Sequence, residues 1–292
     1  MPHRESEAAR EAGAEPVKPA SAQTVVITGG AGKIGRASRK HLSGKLKAIR
    51  VVDIVEPDDL AENESWHRVD ICDPEAVRQA LDGADSVVHL AGYPNERSID
   101  EIFRVNVMGT HNIYEAARQT GVNRIVFGSS NHTVGFYPRS ARISPQDAMR
   151  PDTFYGLGKC WSELQAGLYF ERYGIQTLSI RIGNATAGIF DERSRVTWLG
   201  DRDFAELVRI GLEHPDIDCT TVFGVSKSDQ TWWDNSNAQA LGYCPQQDAE
   251  TDAAPGPSRL AVTAFPEIND YFQGGRYCVI DHDGQVRRRR WT

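Results

Sequence analysis

Several things are scarce in this 292-residue chain, and each scarcity excludes something. No apolar run approaches the roughly 20 residues that a membrane-spanning helix needs, so no membrane role is expected. Positive charge is outnumbered: 33 Lys and Arg against 40 Asp and Glu leave a net charge of -7. That balance argues against a general nucleic-acid binder, whose footprint is basic. Cysteine is sparse and scattered, at Cys72, Cys160, Cys219, Cys244 and Cys278. The number is odd and no two have metal-ligand spacing, so no metal site is expected. Residues 1 to 22 are rich in Ala, Glu, Pro and Arg and lack the apolar centre of a secretory signal. They are expected to form a disordered extension. The thiols are then expected to be reduced, in a cytoplasmic protein.

What is present is an alternation of short apolar runs and amphipathic stretches. Strands are expected at Thr24 to Thr28, Ala48 to Asp53, Trp66 to Val69, Asp85 to Leu90, Arg124 to Ser130 and Ile175 to Ile180. Between them the spacing predicts helices up to about Leu42, over Pro74 to Leu81, over Ser98 to Thr120 and over Asp152 to Tyr173. Such alternation implies an α/β fold, a doubly wound parallel sheet of Rossmann type covered by helices on both faces. After Ile182 the alternation weakens. Residues 184 to 200 read as a loop, and Asp201 to Glu213 as an amphipathic helix with Phe204, Leu207, Val208 and Leu212 on its core face. The expected organisation is one dinucleotide-binding domain over residues 23–280. From about 184 onward its segments build a small substrate-side lobe. Residues 281–292 form a basic tail ending in Arg287 to Arg290.

Between the first strand and the first helix lies TGGAGKIG (Thr28 to Gly35). Gly29, Gly32 and Gly35 let the turn bend tightly and let backbone approach a pyrophosphate at the helix N-terminus. Tight turns need glycine anyway, so the position after a strand is what gives this motif its weight. Asp53 ends the second strand, 18 residues beyond Gly35. A carboxylate there accepts from the adenosine ribose hydroxyls and repels a 2′-phosphate, which points to NAD as cofactor. Asp70 follows the third strand, where it can meet the adenine. Small residues in HLAG (His89 to Gly92) let backbone lie along the cofactor, and His89 itself reads as a packed strand residue.

Tyr155 and Lys159 form Y-x-x-x-K within a helix, four residues apart and therefore on one face. A nearby ammonium favours the phenolate and lowers the tyrosine pKa, which makes a general base. Ser130, at the end of the fifth strand, supplies a hydroxyl that can hold the reacting oxygen.

With these residues in view the chain resembles the uronate dehydrogenases, which belong to the extended short-chain dehydrogenases. The resemblance is carried by FGSSNHTVGFYP (Phe127 to Pro138), YGLGK (Tyr155 to Lys159), RIGN (Arg181 to Asn184), WWDNS (Trp232 to Ser236) and FQGGRY (Phe272 to Tyr277). It spans roughly residues 24 to 280. It implies that Tyr155 is the proton acceptor and Lys159 its partner. It also implies that Ser130, Asn131, His132, Asn184 and Arg193 contact the substrate. Arginine suits a sugar acid because its planar fork matches a carboxylate. The implied cofactor contacts are Gly29, Gly32, Lys33, Ile34, Gly35, Asp53, Asp70, Ile71, Leu90, Ala91, Gly92, Asn106 and Lys159. Two positions depart from the pattern. Tyr93 and Pro94 stand where the family places a serine that touches substrate, and Asn184 replaces another serine. Asn184 is similar in this respect to NAD-dependent glucose-6-phosphate dehydrogenases of the short-chain type.

The reaction implied is oxidation of the anomeric carbon of a hexuronate, glucuronate or galacturonate, to an aldarolactone. A glucose-6-phosphate or other aldose 1-dehydrogenase is the alternative. A nucleotide-sugar epimerase is disfavoured by the short segment after the sixth strand. A non-catalytic NAD-sensing regulator has no need of Tyr155, Lys159 and Ser130 together. A small-molecule sugar substrate and assembly with further copies of the chain complete the expectation. Initial rates with NAD and NADP, both subsaturating, should favour NAD because of Asp53; a faster rate with NADP would remove that role from it.

Overall fold

The computed structural model describes residues 17–185, 188–256 and 264–287. Seven parallel strands form the central sheet: β1 (Thr24–Thr28), β2 (Ala48–Asp53), β3 (Glu64–Arg68), β4 (Ser86–His89), β5 (Arg124–Ser130), β6 (Gln176–Ile182) and β8 (Cys219–Gly224). Their order is β3-β2-β1-β4-β5-β6-β8. Between β6 and β8 in the chain, β7 (Gly188–Ile189) pairs with β9 (Ala254–Pro255) in a separate two-stranded ladder. The chain winds outward from β1 in both directions, so the crossovers diverge between β1 and β4 and open a crevice at the strand ends.

Burial explains the strand composition. Every residue of β4 and β5 is buried, as continuous apolar runs covered on both faces must be. On one face, α1 (Lys33–Leu42) packs with the later α6 (Asp201–Glu213), and Leu42, Leu207 and Val208 share a cluster with Val25, Ile27 and Leu178. The other face is covered by α2 (Pro74–Leu81), α3 (Gly109–Thr120) and α4 (Phe154–Tyr173). Local signals set their ends. The Asp73 side chain accepts from the amides of Glu75 and Ala76 at the start of α2, where Pro74 is tolerated because its missing N–H has no helical partner. Gly121, with φ at 80°, ends α3 in a left-handed turn that other residues avoid.

Two buried polar clusters knit sheet to helices. His89 is fully buried and pushed down to about 3 by desolvation, so its ring is neutral. Thr28 Oγ1 lies 2.7 Å from its Nδ1 and Thr110 Oγ1 3.0 Å from its Nε2. The Thr110 hydroxyl donates to the Asn106 carbonyl, so it accepts from Nε2–H, and Thr28 donates to Nδ1. His89 is thus the packed strand residue expected. The second cluster pairs Glu163 of α4 with Arg181 of β6 at 2.8 Å, and both are almost fully buried. Removing one member of such a pair typically costs about 3–5 kcal/mol, because the other charge is left unpaired.

The structure differs from the sequence expectation in several places. The third strand runs from Glu64 to Arg68, shifted toward the N-terminus, because its pairing register is Asp53 with Arg68. The helix expected from Ser98 to Thr120 is not uniform: Ile102–Met108 is π-helical between a first turn and α3. The stretch read as a loop contains β7 and α5 (Glu192–Val196), which the Asp191 capping box starts. A seventh strand, β8, was not expected; with Thr220 and Thr221 its sequence shows a weak apolar pattern. Residues 17 to 22, expected to belong to a disordered extension, are ordered. Lys18 pairs with Asp85, and the Ala20 amide donates to Glu213, so residues 17 to 22 are docked. Residues 1–16 and most of the Arg287 to Arg290 tail lie outside the described residues. All five cysteines are unpaired. Among the described residues no helix is long and apolar enough to cross a membrane.

The segments after β6 pack with residues 134–143 in two small cores. Trp233 stacks on Phe223 with ring centres 4.6 Å apart and 8° between planes. Val134, Ile143 and Val225 complete that cluster. Ile268, Phe272 and Cys278 form the other.

Candidate active site

A cavity of about 720 Å³ runs along the strand ends from β3 to the segment 272–277. Its adenosine end is built by the first turn. Gly29 has φ at 70°, and a Cβ on it would stand 2.7 Å from the Ala91 amide nitrogen. A Cβ on Gly35 would stand 2.3 Å from the Gly29 carbonyl, so the helix packs directly on the turn. The N-cap of α1 is Gly32, which has no side chain to cap with, and its first turn holds no acid but does hold Lys33. An uncapped N-terminus with a lysine and no carboxylate suits a pyrophosphate. Asp53 accepts from the amides of Ala31 and Val55, both at 3.0 Å, which fixes its carboxylate at the cavity wall. These features fit NAD.

Of the residues expected at the cofactor, all line the cavity except Asn106. Asn106 sits in the π-helical stretch and is buried. Its amide spans Tyr93, accepting from the Tyr93 N–H at 2.9 Å and donating to the Tyr93 carbonyl at 3.0 Å. Asn106 therefore holds the loop after β4 and is not itself in the wall. π-Helical turns tend to occur at such functional places.

The catalytic end is organised by β5 and α4. Ser130 ends β5, and its hydroxyl accepts from the His132 amide at 3.2 Å, capping the short 3-10 turn Asn131–Val134. Tyr155 lies in the first turn of α4. Glu96 grips that turn, accepting from the amides of Phe154 at 3.0 Å and Tyr155 at 2.8 Å. The phenol is buried. The sequence leads one to expect that Lys159 draws the phenol down. Here burial dominates and pushes it up to about 12, with the Ser130 hydroxyl acting in the opposite direction. The reason is where Lys159 points: its Nζ donates to the Gly128 carbonyl at 2.6 Å and lies 5.9 Å from the Tyr155 ring centre. Burial also brings Lys159 down to about 8, opposed by the Glu163 carboxylate.

The substrate end combines β5, α5 and the late segment 272–277. Arg193 Nε donates to the Gln273 carbonyl at 2.7 Å. Its Nη2 donates to the Asn131 side-chain oxygen at 2.7 Å, while the Asn131 amide nitrogen donates to the Ile182 carbonyl at 3.1 Å. No carboxylate lies within 4 Å of Arg193 among the described residues. Desolvation pushes this guanidinium below its ordinary value. A partly buried cation with donors to spare, facing a cavity, is arranged to receive an anion. His132 Nδ1 lies 2.7 Å from the buried Asp152 carboxylate. Asn184 lines the same wall, its amide 3.3 Å from the Ser194 carbonyl.

Sequence reasoning missed parts of the wall. Ile54, Tyr93, Phe190, Arg276 and Tyr277 all line it. Ile54 is 61% exposed directly after Asp53, and an exposed isoleucine beside a nucleotide carboxylate could have been read as an adenine contact. Arg276 and Tyr277 stand within FQGGRY, whose likeness to the family was noticed without a role being given to its side chains. Tyr277 packs against His132 with ring centres 4.0 Å apart and planes inclined by 35°. The paired tryptophans pack, as expected: Trp233 is buried.

Comparison with known proteins agrees with this geometry. The NAD dependent epimerase/dehydratase family matches residues 25–197. The uronate dehydrogenase of Pseudomonas putida is 39% identical over 256 residues, covering 87% of this chain and 95% of that protein. A solved structure of the Agrobacterium tumefaciens uronate dehydrogenase, a mutant complexed with NAD, superposes with a TM-score of 0.79. It is 35% identical and covers 91% of this chain and 99% of that one. The NAD-dependent glucose-6-phosphate dehydrogenase of Haloferax volcanii is 32% identical, covering 78% of this chain and 94% of that protein. This chain is therefore an NAD-dependent oxidoreductase that belongs to the NAD dependent epimerase/dehydratase family and, within it, to the uronate dehydrogenases.

Proposed function

We propose that the protein oxidises the anomeric carbon of a cyclic hexuronate, glucuronate or galacturonate, to the aldarolactone. One observation carries the substrate class: Arg193 lines the cavity with Tyr155 and Ser130, and among the described residues it forms no ion pair with a carboxylate, so it has donors left for an anion. In this reading Ser130 holds the anomeric oxygen and Tyr155 takes its proton. The phenol must first be drawn down from about 12, and Lys159, one helical turn on, is the cation that does so. Bound NAD supplies the hydride acceptor. The uncapped end of α1 and Lys33 hold its pyrophosphate, and Asp53 holds its ribose. Arg193 and Asn131 bind the carboxylate of the sugar and so set its C1 toward Tyr155. Asn184 and the arginine also suit a phosphate, which keeps glucose 6-phosphate as the second reading. Reaction in the cytoplasm is part of the same proposal.

The proposal includes a second copy of the chain. On α4, Phe154, Leu157, Trp161, Leu164 and Leu168 are each at least 46% exposed. Their spacing of three, four, three and four residues is a coiled-coil seam, and Ile99 and Phe103 extend it on the neighbouring helix. Such a seam is self-complementary about a two-fold axis. Sedimentation of the wild type should show a dimer or a multiple of it, and Leu164→Glu should shift it toward monomer. A monomeric wild type would dispose of the seam.

Tyr155→Phe should reduce kcat by about 100- to 10,000-fold, the usual worth of positioned proton transfer. NAD affinity, measured by fluorescence quenching, should stay nearly unchanged. A kcat close to wild type would remove Tyr155 as the base.

A charge-assisted bond to arginine is typically worth about 1.5–3 kcal/mol. Arg193→Ala should therefore lower kcat/KM for glucuronate and galacturonate by roughly 10- to 100-fold, and for neutral glucose far less. The same panel on the wild type ranks the substrates. A preference for glucose 6-phosphate would establish the second reading, and a preference for neutral glucose with no effect of Arg193→Ala would end both.

A further inference from the structure

A buried acid stands behind His132. The Asp152 side chain is 0% exposed. Its Oδ2 lies 2.7 Å from His132 Nδ1, and its Oδ1 accepts from the Thr153 hydroxyl at 3.0 Å. Among the described residues no Lys or Arg lies within 4 Å of it. Two distant segments leave room for this carboxylate. A Cβ on Gly135 would stand 1.9 Å from Oδ2, and one on Gly274 would stand 2.0 Å away. The Cys278 thiol closes the remaining side at 3.9 Å. A buried carboxylate is costly unless it is paired and bonded. Space is cleared on two separate segments around an acid whose one basic contact within 4 Å, among the described residues, is His132, with Arg193 acting on it from farther off; this points to a purpose for that contact.

The partner is held on all sides but one. Tyr277 packs against the imidazole at 4.0 Å, and Tyr155 meets it edge-on at 6.0 Å. Its remaining edge faces the cavity. A carboxylate can only accept, so Nδ1 donates to Asp152. In the neutral ring Nε2 then keeps its lone pair. Among the described residues Nε2 has no hydrogen-bond partner.

We propose that Asp152 is a positioning residue that pins the proton of His132 on Nδ1, so that Nε2 accepts a hydrogen bond from a ring hydroxyl of the sugar. The role for the hydroxyl rests on the sugar-substrate reading above; the tautomer does not. Donors from Arg193 then meet the anionic group, and an acceptor from His132 meets a hydroxyl. The two fix the ring in one orientation over Tyr155.

The test begins with 15N NMR of the substrate-free wild type, with the His132 signals identified by their loss in His132→Gln. The expected pattern is a protonated Nδ1 and an unprotonated Nε2; the reverse tautomer would overturn the proposal even if no variant folded. Asp152→Asn is nearly isosteric, but its amide can donate to Nδ1 and turn Nε2 into a donor. With the uronate that the wild type uses best, this variant should lose at least about tenfold in kcat/KM, mostly through KM, with NAD affinity within about twofold. Added to His132→Gln, the same change should cost less than about twofold, because Asp152 acts through the histidine. Equal losses in both backgrounds would show that Asp152 acts on its own and would refute the proposal. If the wild type turns over no uronate, the substrate reading fails, and the NMR result still judges Asp152.

Discussion

A parallel sheet covered on both faces ends all its strands at one edge, and one side of the cavity wall hangs from that edge. Gly29 follows β1, Asp53 ends β2, Asp70 follows β3, Leu90 follows β4, Ser130 ends β5 and Gly183 follows β6. The crevice lies where the winding reverses, between β1 and β4. What holds that seam is buried and polar. His89 bonds Thr28 on the neighbouring strand and Thr110 on α3, and Thr28 Oγ1 also accepts from the amides of Leu90 and Ala91. These bonds add to the backbone pairing of β1 with β4 and help to fix the close approach of Gly29 to Ala91.

Charge of both signs lines the crevice. Lys33, Asp53, Asp70 and Arg104 stand toward its nucleotide end, and Lys159, Asp191, Arg193 and Arg276 toward its substrate end. Lys159 and Arg193 are costly to keep in a recess, and both are tied back to the protein by neutral acceptors. Lys159 donates to the Gly128 carbonyl, and Arg193 to the Gln273 carbonyl and the Asn131 amide. Neutral acceptors orient a cation without cancelling its charge, so the field stays available to whatever enters. Arg181, which lies under the sheet edge, is treated differently: Glu163 neutralises it, and its task is to hold α4 against β6.

How much of this was legible in the chain depended on how local the signal was. The glycine turn, the strand-end aspartate and Y-x-x-x-K are short patterns tied to one element each, and the structure puts them all on the cavity wall. The contacts of Asn106 were not legible, because they are set by Tyr93, 13 residues away, and no local pattern reports that a π-helical turn aims an amide at a loop. The setting of Lys159 was hidden for a related reason. Helical spacing places Lys159 on the same face, but it does not say that the Gly128 carbonyl takes the ammonium. β8 was missed because Thr220 and Thr221 dilute its apolar pattern, and its strand identity comes from pairing with β6. Asp152 offered the weakest signal of all, since its partners His132, Gly135 and Gly274 meet only in the fold.

The late segments show how a motif can be specific to a function without touching the ligand. Gln273 is almost fully buried and uses nearly every polar atom it has. Its side-chain oxygen accepts from the Trp233 indole at 3.0 Å, and its side-chain nitrogen donates to the carbonyls of Ala141 and Pro138. Its amide donates to Tyr137, and its own carbonyl receives Arg193. Trp233 is in turn fixed by stacking on Phe223 of β8. A line of contact therefore runs from the last strand of the sheet, through Trp233 and Gln273, to the guanidinium at the substrate end. Arginine has several rotatable bonds and loses affinity for an anion unless its fork is held in place. The Trp-Trp-Asp-Asn and Phe-Gln-Gly-Gly runs lie 40 residues apart in sequence. They are one device in space: the first clamps the glutamine of the second, and that glutamine aims Arg193.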